Sequence, residues 1–233
     1  MRGLLLAAGV GTRLRPLTNT VPKCLVPIHR RPLLDYWLEL LLDGGVESVL
    51  VNTHHLESKV REFVNGSRWR ERVTLIHEDR LLGTGGTVLH NRTFFGGRAF
   101  MVVHADNLSV FDVGAFIAHH AARPRGTALT MMTFDTDAPE SCGIVVQDSN
   151  GIVRKMHEKA ANPPGTRANA AIYIFEPEVV DFIASLGKPV VDLSTEVLPH
   201  FMGQIYGFHN AVYHRDIGSV ESLKKAEAEF ARR

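Results

Sequence analysis

Two glycines and two cations near the N-terminus carry the first chemical signal. Gly9 and Gly11 punctuate the turn that follows the apolar run Leu4-Leu5-Leu6, and Arg13 and Lys23 bring positive charge to the same neighbourhood. Glycine lets a backbone approach a ligand closely, and successive N–H groups form a nest for phosphate oxygens. With cations beside it, such a nest has the makeup of a triphosphate site. A dinucleotide-binding fingerprint needs a third glycine three positions after Gly11, where Leu14 stands, and a Walker A loop needs a Gly-Lys-Ser/Thr that is absent here. On this turn alone, a glycine-rich strand-to-loop connection without any ligand stays open as the competing reading. Further along, Asp106 follows the apolar run Phe100–Val103, at a strand end where an α/β sheet presents its ligand groups.

These residues need a scaffold, and the pattern around them supplies one. Leu4–Leu6 reads as a buried parallel strand, Pro32–Leu42 as a largely buried helix stopped by Gly44-Gly45, and Val46–Asn52 as a second strand. A helix over Glu57–Val64, a strand over Val73–Ile76, the glycine cluster Leu82-Gly83-Thr84-Gly85-Gly86 opening another helix, and a strand over Phe100–Val103 follow. Strands alternating with helices imply right-handed βαβ crossovers and a mostly parallel sheet. Past Asp112 the rhythm changes. A helix over Val113–Ala121 leads to strands over Ala128–Met132, Gly143–Val146 and Ile152–Met156, the last two joined through Ser149-Asn150-Gly151, a strong hairpin signal. A strand over Ala170–Phe175, a helix after Pro177, strands around Ile205 and Val212, and a helix from Ser219 to Phe230 close the pattern.

Composition narrows the classes. The 233 residues carry 26 Lys and Arg against 25 Asp and Glu, a net charge of +1 that gives no basic face for nucleic acid. No apolar stretch approaches the roughly 20 residues needed to span a bilayer, and the run after Met1-Arg2 ends at Gly9, too short for a signal peptide. A cytoplasmic protein is expected, with no nucleic-acid or membrane partner. Cys24 and Cys142 fit no metal or redox spacing. The pairs His54-His55 and His119-His120 lack ligand-type company and are expected on the surface; His104 is expected to pack rather than to bind metal.

The whole run Leu6-Ala7-Ala8-Gly9-Val10-Gly11-Thr12-Arg13-Leu14-Arg15-Pro16-Leu17-Thr18, with Pro22-Lys23 and Pro27, resembles the signature of the sugar-1-phosphate nucleotidylyltransferases. The resemblance continues through Leu82–Gly86, His104–Asn107, Glu158-Lys159, Asn169–Ala171 and Asp216–Ser219, and in its Gly-Thr-Gly-Gly form it is nearest the mannose- and heptose-1-phosphate guanylyltransferases. It implies a nucleotide-diphospho-sugar transferase fold: α/β, three-layered and Rossmann-like, with a mixed, mostly parallel sheet and helices on both faces. One domain is expected over 1–233, with a nucleotide-binding half at about 1–111 and a hairpin-rich, sugar-phosphate-binding half at about 112–233.

The implied reaction is attack of a sugar 1-phosphate oxygen on the α-phosphorus of a nucleoside triphosphate, GTP being favoured, with release of pyrophosphate. By resemblance, Leu6, Ala8, Gly9, Gly11, Thr12, Arg13, Gly83, Thr84 and Gly86 bind the nucleotide. Arg13, Lys23 and Asp106 are the catalytic set. Gly143, Glu158, Lys159 and Asn169 hold the sugar phosphate, and Asp106 with Asp216 hold Mg²⁺. Two lone carboxylates at strand ends suit that ion, which completes its shell with phosphate and water. Ala171 stands where the family often has glycine, and His104 where glycine or asparagine is common, so the sugar is left undetermined. With little sequence after the closing helix, a β-helix acyltransferase domain is not expected. Competing readings are a uridylyltransferase and a non-catalytic nucleotide-sugar-binding subunit; the latter should have lost one of the charges retained here. A homodimer stays open, since no apolar stripe announces an interface.

Overall fold

The computed structural model describes residues 1–231. In chain order, β1 (Arg2–Leu6), the short β2 (Pro27–Ile28) and β3 (Arg31–Pro32), α1 (Leu33–Asp43), β4 (Val49–Thr53), α2 (Glu57–Gly66) and β5 (Val73–His77) come first. Then follow α3 (Gly83–His90), α4 (Arg92–Phe95), β6 (Phe100–His104), β7 (Asn107–Val110), α5 (Val113–Ala121) and β8 (Leu129–Asp135). The remainder is β9 (Gly143–Gln147), β10 (Ile152–Glu158), β11 (Arg167–Phe175), α6 (Pro177–Ser185), β12 (Ile205–His209), β13 (Tyr213–Asp216) and α7 (Val220–Phe230). The fold is α/β with a mixed sheet, as expected.

Contacts group the chain into two compact units, the first comprising Met1–Leu81, Val103–Val110 and the described residues from Tyr213 on. There, β1, β4 and β5 pair in parallel, and the Ala105 N–H donates to the Leu6 carbonyl at 3.1 Å just beyond β6. β4 is buried along its whole length because both of its faces are covered, which explains its unbroken Val-Leu-Val run. Helix α1 buries Leu33, Leu34, Trp37, Leu38, Leu41 and Leu42, spaced to form one face. Each fully buried leucine contributes roughly 2 kcal/mol, and the Trp37 indole N–H fastens this face to β7 through the Asn107 carbonyl at 2.7 Å.

The second unit holds Leu82–Val102 and Phe111–Val212. Its pairings are antiparallel between β8 and β11, β9 and β10, and β10 and β12, and parallel between β8 and β12. The expected Asn-Gly hairpin joins β9 to β10, where the Asp148 carboxylate accepts the N–H groups of Asn150 and Ile152. Residues 82–102 group with this unit and those from Tyr213 on with the first, so neither unit is a continuous stretch of chain. No helix among the described residues is long and apolar enough to cross a membrane.

Candidate active site

The turn after β1 is set by hydrogen bonds to its backbone. The Ala7 N–H donates to Asn52 Oδ1 at 2.7 Å, and the Asn52 amide donates to the buried Glu78 carboxylate at 2.9 Å. Gly11 has φ 67°, and a Cβ there would lie 2.9 Å from Thr18 Cγ2 and 3.2 Å from Lys23 Cβ. Both the conformation and the space therefore require glycine. The Thr18 hydroxyl closes the turn on the Gly11 carbonyl at 2.7 Å. Leu14 is fully buried and anchors the loop; Thr12, Arg13 and Arg15 around it are exposed, with Gly9, while Ala8 is buried. Leu14 thus explains why the third glycine of a dinucleotide loop is missing: the position is a core anchor.

Lys23 is only 7% exposed, and its ammonium donates to Asp106 Oδ2 at 2.6 Å. Asp106 lies in the turn between β6 and β7, and β7 pairs with β13 so that Asn107 faces Asp216. The Ile217 N–H donates to the Asp106 carbonyl at 2.9 Å, bringing the two aspartates together although half the chain separates them. Burial pushes the Asp106 carboxyl up, but the charges of Lys23 and His104 and the Lys23 hydrogen bond outweigh it and hold the group below its ordinary range. Asp216 moves the other way: burial and the Asp106 charge raise it, against the pull of Lys23 and Arg13. Gly218 completes the set, since a Cβ there would meet Arg13 Nη2 at 2.7 Å and press on the Asp216 carboxylate. Two cations and two carboxylates are thereby concentrated at one end of the first unit. Among the described residues no group of three His, Cys, Asp or Glu is placed to hold a metal. A carboxylate pair alone suits a hard ion that keeps phosphate oxygens and water as ligands, and does not suit a closed site of nitrogen and sulfur ligands.

In the second unit, the cluster Gly83–Gly86 starts α3 and is overlaid by the segment Pro189–Leu193. The Gly85 and Gly86 N–H groups both donate to the Val191 carbonyl, at 2.8 and 3.2 Å. A Cβ on Gly83 would lie 2.5 Å from the Val191 carbonyl oxygen, and one on Gly86 2.5 Å from that of Pro189. Thr84 Oγ1 accepts the Leu193 N–H at 2.8 Å and lies 3.4 Å from Asp192 Oδ2. This glycine pattern is therefore required by packing within the protein itself. A second group forms on β9, β10 and β11. Gly143 faces Glu158, and a Cβ on Gly143 would stand 2.6 Å from the Glu158 carboxylate. The Asn169 amide donates to the Tyr173 hydroxyl at 2.7 Å and its oxygen accepts the Ala171 N–H at 2.9 Å. Burial raises the Tyr173 phenol, and the nearby Glu158 and Asp192 carboxylates add to the shift. Lys159 is exposed, with a φ of 46° uncommon outside glycine, and its ammonium lies 3.9 Å from Glu158.

A model of the nucleotidyl transferase family matches residues 2–233. The chain belongs to that family. Over 97% of its length the chain is 33% identical to a UTP–glucose-1-phosphate uridylyltransferase from Synechocystis sp., 62% of which the match covers. Over 98% it is 31% identical to a mannose-1-phosphate guanylyltransferase from Mycobacterium tuberculosis, covering 64% of that protein. The chain thus spans less than two thirds of either relative's own length. Its fold is shared with HddC from Yersinia pseudotuberculosis complexed with GMP-PN, at a TM-score of 0.82 and 24% identity over 98% of this chain and 99% of that one.

The structure adds residues to the candidate site that sequence reading passed over. Asn52 reads only as a strand end and Glu78 belongs to no motif; only the pairing of β1 with β4 shows Asn52 reaching Ala7. Tyr173 and Asp192 carried no local signal either, because the closeness of Glu158 and Asp192 to Tyr173 depends on strand pairing and on the Pro189–Leu193 segment. Ala171, with φ 54°, occupies a backbone conformation that favours glycine, which gives a physical reason for the glycine that the resemblance leads one to expect there. One expectation is corrected. His120 is 3% exposed rather than on the surface, held by Thr130 Oγ1 at 2.7 Å and Glu176 Oε1 at 3.0 Å, and His119 stacks on Tyr206. His54 and His55 are half-buried, bonded to the carbonyls of Glu78 and Thr18.

Proposed function

We propose that this protein transfers a nucleoside monophosphate to a sugar 1-phosphate, releasing pyrophosphate, with GTP as the donor and a mannose- or heptose-1-phosphate as the acceptor. Such an enzyme would supply a GDP-sugar for surface polysaccharide or glycoconjugate synthesis. The observation that carries the reading is the cluster of Lys23, Asp106, Arg13 and Asp216 beside a glycine turn with exposed backbone.

The chemistry needs charge neutralisation and in-line placement more than covalent participation. The sugar-phosphate oxygen forms a bond to the α-phosphorus as the bond to the pyrophosphate oxygen breaks, and no proton need move. Arg13, exposed beyond Leu14, offers its guanidinium to the β- and γ-phosphates, where charge accumulates as pyrophosphate leaves. Lys23, bonded to Asp106 and packed against Gly11, would serve the α-phosphate. Asp106 and Asp216 would hold Mg²⁺, which supplies further neutralisation of phosphate charge when bound. In the second unit Lys159 would pair with the sugar phosphate, while Glu158, whose carboxylate occupies the room left by the missing Cβ of Gly143, and Asn169 would accept and donate hydrogen bonds to hydroxyls.

The guanylyltransferase relative supports GTP. The Synechocystis relative supports a second reading, UTP with a hexose or amino-sugar 1-phosphate. A matrix of nucleoside triphosphates against sugar 1-phosphates, with Mg²⁺ and pyrophosphate release as the readout, decides between them. Turnover highest with GTP is the expected result; turnover highest with UTP selects the second reading. Background release with every pair overturns the activity and favours a non-catalytic binding subunit.

A further inference from the structure

We propose that Glu229, on α7, is a positioning residue for Asp216, acting through Arg215 and Tyr213. The inference rests on the reading of Asp216 as a metal-holding carboxylate. The pairing of β7 with β13 is two-stranded and only four residues long on each side, a ribbon that is marginal by itself. Alternation along β13 sends His214 and Asp216 to one face and Tyr213 and Arg215 to the other. On the first face, Ser109 Oγ and His214 Nδ1 are 2.5 Å apart and Asp216 lies beside Arg13 and Asp106. On the opposite face, among the described residues, the Glu229 carboxylate accepts hydrogen bonds from the Tyr213 hydroxyl at 2.9 Å and from Arg215 Nε and Nη2 at 2.7 Å each. The two-pronged arginine–carboxylate geometry is the strong form of the interaction, and Arg215 is only 18% exposed.

Helix α7 is itself firmly seated. Its start is closed by the reciprocal Ser219–Ser222 capping box, Phe230 meets both Tyr36 and Tyr213 edge-on, and His29 Nε2 bonds the Glu227 carbonyl at 2.7 Å. Glu229 therefore does two things for its neighbour. It fixes the strand that aims Asp216, and it holds the Arg215 guanidinium away, one residue from a carboxylate that must stay available to a cation.

The test uses Glu229→Gln, which keeps the shape and removes the charge. Three readouts apply: Mn²⁺ binding to the free protein by electron paramagnetic resonance, hydrogen exchange over 213–216, and the Mg²⁺ dependence of turnover. Expected are Mn²⁺ affinity weakened about tenfold, faster exchange in β13, and a matching rise in the Mg²⁺ concentration for half-maximal rate, with kcat at saturating Mg²⁺ within about twofold of the parent. Unchanged Mn²⁺ affinity and Mg²⁺ dependence would overturn the proposal even if exchange or thermal stability moved. Should Glu229→Gln fail to fold, Tyr213→Phe, which keeps the ion pair, decides: a smaller shift in the same direction supports the role and none overturns it. Asp216→Asn separates the two levels. If it leaves Mn²⁺ affinity intact, the metal reading of Asp216 is wrong; if it weakens Mn²⁺ and Glu229→Gln does not, only the role of Glu229 is lost.

Discussion

Replacing Gly86 with alanine sets two physical effects against each other. Gly86 lies inside α3, where alanine is favoured over glycine by about 1 kcal/mol on helix propensity alone. Against that, the new Cβ would stand 2.5 Å from the Pro189 carbonyl oxygen and 3.1 Å from Leu82 Cβ. Neither neighbour is the free end of a flexible side chain. Relief requires the Pro189–Leu193 segment to move, and overpacking of this kind costs about 1–3 kcal/mol. The same movement stretches the bonds from Gly85 and Gly86 to the Val191 carbonyl, each contributing about 0.5–1.5 kcal/mol. With mid-range values of about 2 kcal/mol for the overpacking and about 2 for the two bonds, subtracting the propensity gain leaves a net loss of about 3 kcal/mol, which for a chain this size lowers Tm by roughly 6–12 °C. The assay is a thermal melt of the ligand-free protein. If glycine is needed here only to let a nucleotide approach, Tm of the free protein stays level or rises. That result would refute the packing account.

Other outcomes are also expected. Asp106→Asn should fold, because Lys23 keeps an oxygen to bond, yet lose about 10²–10³ in turnover through lost charge; pyrophosphate release checks it, and near-parent turnover would mean the carboxylate is misassigned. Burial pushes the Cys24 thiol up to about 12, so a thiol reagent at pH 8 should titrate one group per native chain, Cys142, and two after unfolding. Burial, with the Arg123 charge, holds His120 below its ordinary pKa despite the bond to Glu176. The unfolded chain therefore binds the extra proton below about pH 6.5, and stability should fall as pH drops from 7.5 to 5. In His120→Gln that loss should be shallower in denaturant titrations.

What could be read from sequence was chemistry carried by neighbours in the chain. The apolar run before Gly9, the helix from Val113 to Ala121, the Asn-Gly hairpin and the closing helix begun at Ser219 each depend on a few adjacent residues, and each is found in place. Strand β7 escaped notice. Asn-Leu-Ser-Val lacks a continuous apolar run, and its partner β13 is distant in sequence. The glycine cluster was legible as unusual, but the reason for it, a carbonyl of Val191 and another of Pro189, is a contact that no local pattern announces. His120 is buried for the same kind of reason: the groups that satisfy it come from β8 and from the N-cap of α6. Resemblance located Asp106 and Asp216. Their adjacency is a matter of register.

That register also has a bearing on how the protein is made. As the nascent chain leaves the ribosome, β1, α1, β4 and β5 can assemble early, since their partners emerge in close succession. β7 cannot. Its companion is the ribbon strand Tyr213–Asp216, and everything from Phe111 to Val212 must be translated before the two can meet. During that interval Asp106 and the unpaired side of β7 wait for a partner whose late arrival makes the contact strongly non-local, the kind that slows folding and leaves edges exposed. A ribosome that stalls anywhere in that stretch would hold a chain with its glycine turn made and its second carboxylate missing.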